Sequence, residues 1–508
     1  MRTLRRALLA AVIAAGATAP AAGAYEELPL GPRHLDETRT TRWIAPGVTH
    51  TRIVRGTPDP RDDYTVDVDV QASRQDAQAV ADRLVALGHA ARVQRIGPRA
   101  PDDPQQGPLG FRVRVGDFAT QAEADALRLR LISEGFPAPR AVFEGDDGER
   151  TTGPWVVNVL EVARGLAAPA LATDVVPGRE TLTALAARRP SLAAINGGYF
   201  VIGAANGTDG DLAGIYAERG ELISEAVNGR TSLLLPRRGE ARVAALSTSL
   251  ALRAGDGARR ELDGLNRLPG LIRGCGGTGG DLPTEQPKHD FTCTDASEVI
   301  RYEPVFGATT DPGPGFEAVL DADDVVVAVR EMRGGPIAPA GAVLSGTGDG
   351  ADWLRAHARL GSRVATRETV SADGYGAFGL RRVGIVNGGP RLLSDGGLDI
   401  PAYAEGFHYP EDPGFLYRFG IRRNPRTLAG VGWDGRLLLV TVDGRAPGHS
   451  VGASFRESAE LLQALGARDA VNLDGGGSTA MTVGSTLLTR PSDATGERPI
   501  ADAIVVRP

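Results

Sequence analysis

The sequence predicts an α+β protein in which a small duplicated βαβ domain precedes a large mixed, sheet-rich domain. Near the amino terminus, a strand-and-helix pattern repeats at a constant offset of 47 positions. From Trp155 onward, apolar strands separated by glycine turns dominate, with few clear helices. The chain has 67 Gly and 34 Pro but only 3 Met and 5% aromatic residues, which favours turns over helical bundles.

Length and charge restrict the function further. A chain of 508 residues predicts two to four domains, and 42% hydrophobic with 23% charged residues is a globular composition. The formal charge is -7 and no long Lys/Arg block is present. Nucleic acid is therefore not an expected partner.

The first element is a predicted signal peptide over residues 1–24. A basic start and a short apolar run precede Ala22-Gly23-Ala24, a pattern typical of a signal-peptidase site. An uncleaved anchor or a buried helix is the alternative, although the run is short for a span of about 20 residues. Cleavage removes three arginines and no acid, so the charge changes from -7 to -10. We expect a secreted, extracytoplasmic protein without a stable membrane span, and a linker over residues 25–62.

The second element is the repeat, which predicts a domain over residues 63–145. Tyr64 and Phe111, like Val66 and Val113, differ by 47 positions, and so do the glycines that follow each helix. Each half has an alternating strand, a capped helix and a further strand. Two such βαβ halves would share one small ferredoxin-like sheet.

This repeat resembles the SPOR domain. The second half, FRVRVGDFATQAEADAL (111–127), is the closer match, whereas the first half lacks the Gly-x-Phe element. The known partner of that family is the glycan strand of peptidoglycan, so the resemblance implies attachment to the cell wall. A small structural domain without a ligand is the alternative.

The predicted export suggests a role for the two cysteines. Cys275 and Cys293 lie 18 residues apart in a Gly-rich segment, and an even pair outside the cytoplasm predicts a disulfide. Closing a loop of this size stabilises a protein by about 3 kcal/mol in the chain-entropy model. A metal site with His289 and Asp290 is the alternative, but the spacing fits no zinc pattern. A catalytic thiol is less favoured still.

The large domain is predicted over residues 154–508, with extensive sheet and two clear helices. The predicted strands are 156–162, 325–330, 383–386, 437–442 and 501–506, and the predicted helices are 352–360 and 455–465.

Several strands of this domain end in an acid or amide followed by glycines. Asp443-Gly444 and Asp474-Gly475 follow apolar strands directly, and Asn196-Gly197-Gly198-Tyr199 has the same form. A carboxylate placed in this way projects at the rim of a sheet, where backbone amides can approach a ligand. Arg426, Arg445 and Arg498 lie in the same motifs, and arginine suits bidentate contact with phosphate. A site for a phosphorylated or acidic substrate follows; isolated turns and structural salt bridges are the alternative.

These motifs resemble the phosphodiester glycosidase family, whose known members include a lysosomal enzyme that removes N-acetylglucosamine from a phosphate diester on mannose. The matching segments are INGGYF, IVNGGPRLL, NPRTLAGVGWDGRLLLVTVDGR, SFRESAELLQALGARDAVNLDGGGSTAM and GERPIADAIVV. Many members have an acid at the position of Gly198, and Asp502 stands where an Asn is often found. The motif positions in this chain are Asn196, Arg426, Asp443, Arg445, Glu457, Asn472, Asp474, Gly475, Gly476, Ser478 and Arg498.

The resemblance implies hydrolysis of a sugar 1-phosphodiester, with N-acetylglucosamine as the model sugar. Asp443, Asp474 and Glu457 are the candidate catalytic carboxylates, with their roles as acid, base or nucleophile open. Arg426 and Arg498 would hold the phosphate. The remaining candidates for substrate binding are Asn196, Tyr199, Arg445, Asn472, Gly475, Gly476 and Ser478. The alternative function is a non-catalytic cell-wall or exopolysaccharide-binding or assembly protein on the same scaffold.

Three further patterns are set aside. Gly448-His449-Ser450-Val451-Gly452 matches the nucleophile elbow of esterases, but no histidine follows it in the chain. Gly274-x-Gly276-x-x-Gly279 lacks the helix of a dinucleotide site. The acidic turn at Asp321, Asp323 and Asp324 could hold calcium, although a solvated hairpin fits its spacing better. No metal or cofactor is otherwise expected.

Overall fold

The structure is a computed structural model that describes residues 27–147, 150–273, 280–283, 292–409 and 412–508. The predicted signal peptide lies outside these residues. None of the helices that are described is long and apolar enough to cross a membrane.

The predicted linker is wrong over half of its length, because residues 37–55 form a β-hairpin. The hairpin consists of β1 (Glu37–Ala45) and β2 (Val48–Arg55), and β2 pairs antiparallel with the strand Trp155–Val162 of the large domain. Val48, Ile53 and Arg55 are buried, and the Arg55 side chain donates to two backbone carbonyls and pairs with Glu37. Threonines and arginines between these positions hide the alternation that a strand requires.

The duplicated unit folds as the sequence predicts. Its elements are β3 (Tyr64–Gln71), α1 (Arg74–Ala86), β4 (Ala91–Ile96), β5 (Gly110–Phe118), α2 (Gln121–Ser133) and β6 (Arg140–Phe143). The sheet has the order β4-β5-β3-β6, and both helices pack on one face against Val66, Val68, Val113 and Val115. Gly88 and Gly135, one repeat apart, both have a φ of 88°, which lets each helix end in a left-handed turn.

Strands dominate the large domain, as expected. They are β7 (Trp155–Val162), β8 (Ala167–Leu171), β9 (Ala193–Asn196), β10 (Tyr216–Glu218), β11 (Glu221–Ser224), β12 (Arg230–Pro236), β13 (Arg242–Ala254), β14 (Arg259–Glu261), β15 (Gly264–Leu265), β16 (Leu271–Arg273), β17 (Leu282–Pro283), β18 (Thr292–Thr294), β19 (Val299–Tyr302), β20 (Gly313–Leu320), β21 (Val326–Arg333), β22 (Ala342–Gly346), β23 (Val364–Ala372), β24 (Gly376–Phe378), β25 (Val383–Asn387), β26 (Arg391–Ser394), β27 (Gly397–Leu398), β28 (Arg426–Gly432), β29 (Leu437–Val442), β30 (Ala467–Asn472), β31 (Met481–Val483), β32 (Thr486–Leu487) and β33 (Asp502–Val506).

The helices of this domain are α3 (Leu182–Arg188), α4 (Gly348–His357), α5 (Pro413–Leu416) and α6 (Phe455–Ala464), and α5 continues into a π-helix, Tyr417–Ile421. The predicted helix at 455–465 is confirmed. The one predicted at 352–360 begins four residues earlier and ends at His357.

A large sheet positions the site. Its order is β1-β2-β7-β29-β28-β30-β26-β27, and a second sheet of order β32-β31-β9-β33-β8 packs on one of its faces. Its other face packs on α6 and on the segment around α5. The central strands are therefore buried on both faces, and polar side chains gather where the strands end.

Two predictions concern loops outside this sheet. Cys293 is buried on β18 and is not a free thiol, but Cys275 lies outside the described residues, so their pairing stays a prediction. The acidic turn is a hairpin between β20 and β21, in which Asp321 accepts two backbone N–H groups and Asp324 pairs with Arg301.

Candidate active site

The register of three strands brings the predicted acids to one edge of the large sheet. β28 runs antiparallel to both of its neighbours, with Arg426 opposite Val442 of β29 and Leu428 opposite Asn472 of β30. The start of β28 therefore lies beside the ends of β29 and β30. Asp443 and Asp474, which follow those ends, share this edge.

Asn196 joins the second sheet to this edge. Its Nδ2 donates to the carbonyl of Asp474 at 2.8 Å, and its Oδ1 accepts from Thr427 Oγ1 at 2.7 Å and from the Ala480 amide at 3.1 Å. The side chain is fully buried. Predicted to bind substrate, Asn196 instead fixes the turn that carries Asp474.

The glycines after Asp474 allow close backbone approach. The Gly475 amide donates to Asp474 Oδ1 at 3.0 Å, and a Cβ on Gly475 would lie 2.8 Å from the Pro425 carbonyl oxygen. A Cβ on Gly477 would lie 2.2 Å from a guanidinium nitrogen of Arg498. Larger residues would displace the carboxylate or the arginine.

Asp443 is a buried carboxylate with a histidine partner. Its Oδ2 lies 2.8 Å from His449 Nε2 and accepts from the Arg490 amide at 3.2 Å. Its Oδ1 is buried and has no hydrogen-bond partner within the described ranges. Native proteins satisfy most buried polar atoms, so an unpaired oxygen next to a half-buried imidazole makes Asp443 a candidate for proton transfer.

Sequence reasoning missed His449, because its motif was judged only as a serine nucleophile. Ser450 is fully buried, donates to the Asp443 carbonyl at 2.6 Å and accepts from the Val156 amide. It therefore has a structural role. A histidine six residues after Asp443 in a tight loop was the available signal.

The three predicted arginines have different environments. Arg445 is exposed, donates to Asn424 Oδ1 at 2.8 Å and, among the residues that the structure describes, pairs with no carboxylate. Arg498 forms two hydrogen bonds to Asp493, at 2.8 and 3.1 Å. Arg445 is thus the cation best placed to receive a phosphate.

The prediction that Arg426 binds phosphate is not supported. Arg426 is 1% exposed, donates to the carbonyls of Ala453 and Phe419, and lies 4.6 Å from the centre of the Phe455 ring. Burial lowers its pKa to about 10. Its guanidinium therefore stabilises the π-helix through the bond to the Phe419 carbonyl.

Glu457, predicted as a catalytic carboxylate, likewise has a structural role rather than a place at the sheet edge with Asp443 and Asp474. It forms the capping box of α6 with Ser454, and its carboxylate accepts from Arg423 Nε and Nη2 at 2.9 and 2.7 Å. Both oxygens are therefore engaged in structure. Since the acid three residues after a helix cap commonly has this role, its place at N3 was a sequence signal.

Tyr199 and Asn472 form a second buried group beside Gly389. The Tyr199 hydroxyl donates to the Gly389 carbonyl at 2.7 Å and accepts from Asn472 Nδ2 at 2.6 Å. Asn472 Oδ1 and Ser478 Oγ are buried without hydrogen-bond partners among the described residues. Asn472 and Ser478 are both fully buried, so neither side chain is exposed to a substrate in this structure.

Asp502, noted in the sequence only as a departure from the family pattern, is a further titratable group. It is 1% exposed, accepts from the Gly198 amide at 3.0 Å, and lies at the start of β33. Burial raises its pKa to about 7, and the charge of Asp474 adds to the effect. The family's more common Asn would accept the same bond without a charge.

Comparisons with known proteins agree with these motifs. A family model described as phosphodiester glycosidase matches residues 314–507, and one described as SPOR domain matches residues 60–139. A search of curated protein sequences finds no match.

Three solved structures are similar. A Burkholderia pseudomallei K96243 protein, named as an expected exported protein, is 34% identical, covers 95% of this chain and 98% of its own, and has a TM-score of 0.84. A hypothetical protein from Synechocystis, 17% identical, covers 93% and 79% at a TM-score of 0.53, which shows a shared fold. The catalytic domain of zebrafish N-acetylglucosamine-1-phosphodiester alpha-N-acetylglucosaminidase is 13% identical, covers 82% and 88%, and has a TM-score of 0.35. Residues 314–507 therefore belong to the phosphodiester glycosidase family, and residues 60–139 form an amino-terminal SPOR domain.

Proposed function

We propose that the protein is an exported hydrolase that cleaves the glycosidic bond of a sugar 1-phosphodiester, with an N-acetylglucosamine-like sugar. One observation carries the proposal: the buried carboxylate of Asp443, with one unpaired oxygen and His449 on the other, lies at the same sheet edge as Asp474 and Arg445. Membership of the phosphodiester glycosidase family supports the reaction class.

The proposed chemistry uses few groups. Arg445 holds the phosphate, whose ester oxygen leaves with the bonding electrons of the C1–O bond. The carboxylate of Asp474 stabilises the positive charge that develops on the sugar in an oxocarbenium-like transition state. Water supplies the hydroxyl group that ends on C1. The Asp443–His449 pair transfers the remaining proton to the departing phosphate. Because a phosphate monoester leaves readily, this proton transfer contributes less than in an ordinary glycosidase.

The SPOR domain supports the proposed targeting. We expect it to bind glycan strands of peptidoglycan and to keep the enzyme at the cell wall, where the substrate would be wall or exopolysaccharide material. Pelleting of the full chain with purified peptidoglycan tests this step separately from catalysis.

The test of the reaction is release of free sugar from N-acetylglucosamine 1-(methyl phosphate). We expect hydrolysis of this diester, but not of a phosphomonoester or a plain glycoside, and no turnover by Asp474→Asn. Asp434→Asn, at an exposed turn before β29, is the control and should retain activity. Full activity of Asp474→Asn would refute its role. A wild-type protein that binds but releases no sugar would support the alternative binding or assembly function.

A further inference from the structure

The SPOR domain is joined to the catalytic domain by a buried network of charges. Arg114 contacts Asp67 and Asp147. Arg422, which directly follows the π-helix, lies 3.4 Å from Asp67. The hydroxyl of Tyr417 accepts from Arg114 at 3.1 Å. This network lies on the sheet face opposite α1 and α2, so that face is turned toward the catalytic domain.

Beside this network, the two domains enclose a cleft of about 970 Å³. This volume is at the upper end of ordinary ligand sites and exceeds the needs of one sugar unit. Strands β3 and β6 form one wall, and the π-helix with the loop around Arg445 forms the other. Phe143 and Phe419, both half-buried, add aromatic surface suited to sugar rings.

The cleft borders the candidate active site through Arg445. Arg445 is part of its wall, and a guanidinium nitrogen of Arg445 lies 3.3 Å from the position that a Cβ on Gly476 would take. Gly476 is two residues from Asp474. A chain lying in the cleft would therefore approach the turn that carries Asp474 at the Arg445 end of the cleft.

Two cations of the cleft have no carboxylate partner within the described parts of the chain. Arg445 is one, and the other is Arg140, at the start of β6 on the SPOR side. Desolvation in the cleft and the neighbouring charge of Arg418 lower the pKa of Arg140. An anion beside Arg140 would relieve its repulsion by Arg418.

Two polar atoms of the cleft also lack partners among the described residues: Asp146 Oδ1 and Ser492 Oγ, both buried. Burial raises the pKa of Asp146 to about 7. A raised pKa reduces the negative charge of Asp146 near neutral pH, and with it the repulsion of a phosphate in the cleft.

We propose that the cleft between the SPOR and catalytic domains is a binding site for a phosphodiester-linked glycan, with Arg140 holding a phosphate one or more units away from the bond that is cleaved. The proposal rests on the proposed function, because that function defines the substrate class. It extends that function from a small diester to a polymer, and it assigns the SPOR domain a part in substrate binding.

Equilibrium binding tests the proposal without requiring turnover. The probe is a fluorescent oligomer of N-acetylglucosamine joined by 1-phosphodiester bonds, added to full-length protein carrying Asp474→Asn. We expect Arg140→Glu to weaken binding at least tenfold and Arg140→Gln to weaken it less. Arg74→Glu, on an exposed position of α1 at the opposite sheet face, should leave binding unchanged.

Equal binding by the Arg140→Glu and Arg74→Glu proteins would overturn the proposal, provided that circular dichroism shows both to be folded. Arg140→Gln serves as the deciding variant if Arg140→Glu unfolds. Equal affinity for phosphate-free peptidoglycan fragments, with no effect of either Arg140 substitution, would also overturn it. If the wild-type protein hydrolyses no diester but the Arg140 effect on binding is present, the proposed function fails while the cleft assignment stands.

Discussion

The domain contact and the candidate active site are built from the same residue types but pair them differently. At the domain contact, Asp67 and Asp147 both contact Arg114, and each oxygen has a donor. At the sheet edge, Asp443 retains an unpaired buried oxygen, and Arg445 has no carboxylate within the described ranges. Paired charges stabilise the junction, whereas incompletely paired charges are available to a substrate. Substitutions can test this distinction.

After the loss of turnover in Asp474→Asn, the largest effect is expected at the unpaired carboxylate. Asp443→Asn should lower kcat/KM about three hundredfold, or about 3.4 kcal/mol, because the amide cannot support proton transfer through His449. Steady-state kinetics on N-acetylglucosamine 1-(methyl phosphate) measures it, with thermal unfolding to show that the fold persists. Near-normal kinetics would place Asp443 among the structural acids.

The next effect is expected at the paired network. Arg114→Met should lower the free energy of unfolding by about 3 kcal/mol, because Asp67 and Asp147 lose their common partner while remaining buried. Arg92→Met, opposite Arg114 on β4 and paired at the surface with Asp117, is the control and should cost less than about 1 kcal/mol. Similar urea midpoints for the two variants would contradict the distinction.

Asp502 lies between the two classes, since it is hydrogen-bonded but retains a proton. Its folded pKa of about 7 exceeds the ordinary 3.8, so the folded state binds more protons than the unfolded state between these values, and stability falls as pH rises through them. The ceiling for this loss is about 4 kcal/mol, and desolvating a new amide reduces the gain on substitution. Asp502→Asn should be about 2 kcal/mol more stable than wild type at about pH 8 and gain much less at about pH 5. Equal gains at both would refute the assignment.

The smallest effect is expected at Glu457, which belongs to the paired, structural charges. Glu457→Gln retains an acceptor for the helix cap and for Arg423 but loses the charge, so we expect a loss of about 1 kcal/mol in unfolding free energy and unchanged turnover. A loss of activity comparable to that of Asp443→Asn would return Glu457 to the catalytic group.

Local pattern predicted much of the fold. The repeat, its caps and its strands depend on neighbours within one helix or hairpin, so the sequence specified them directly. The hairpin at 37–55 escaped prediction because its buried positions include Arg55, whose polar atoms are satisfied by residues up to 25 positions away. Burial of an arginine depends on those distant partners rather than on local periodicity.

The sequence by itself determined the candidate set: acids and arginines beside glycines at strand ends, in a family order. Only the tertiary structure decided which of them are neutralised. Glu457 pairs with Arg423, and Arg426 is covered by two aromatic rings. The physical reason is that a charge becomes structural or reactive according to the donors, acceptors and solvent around it, and long-range packing supplies these.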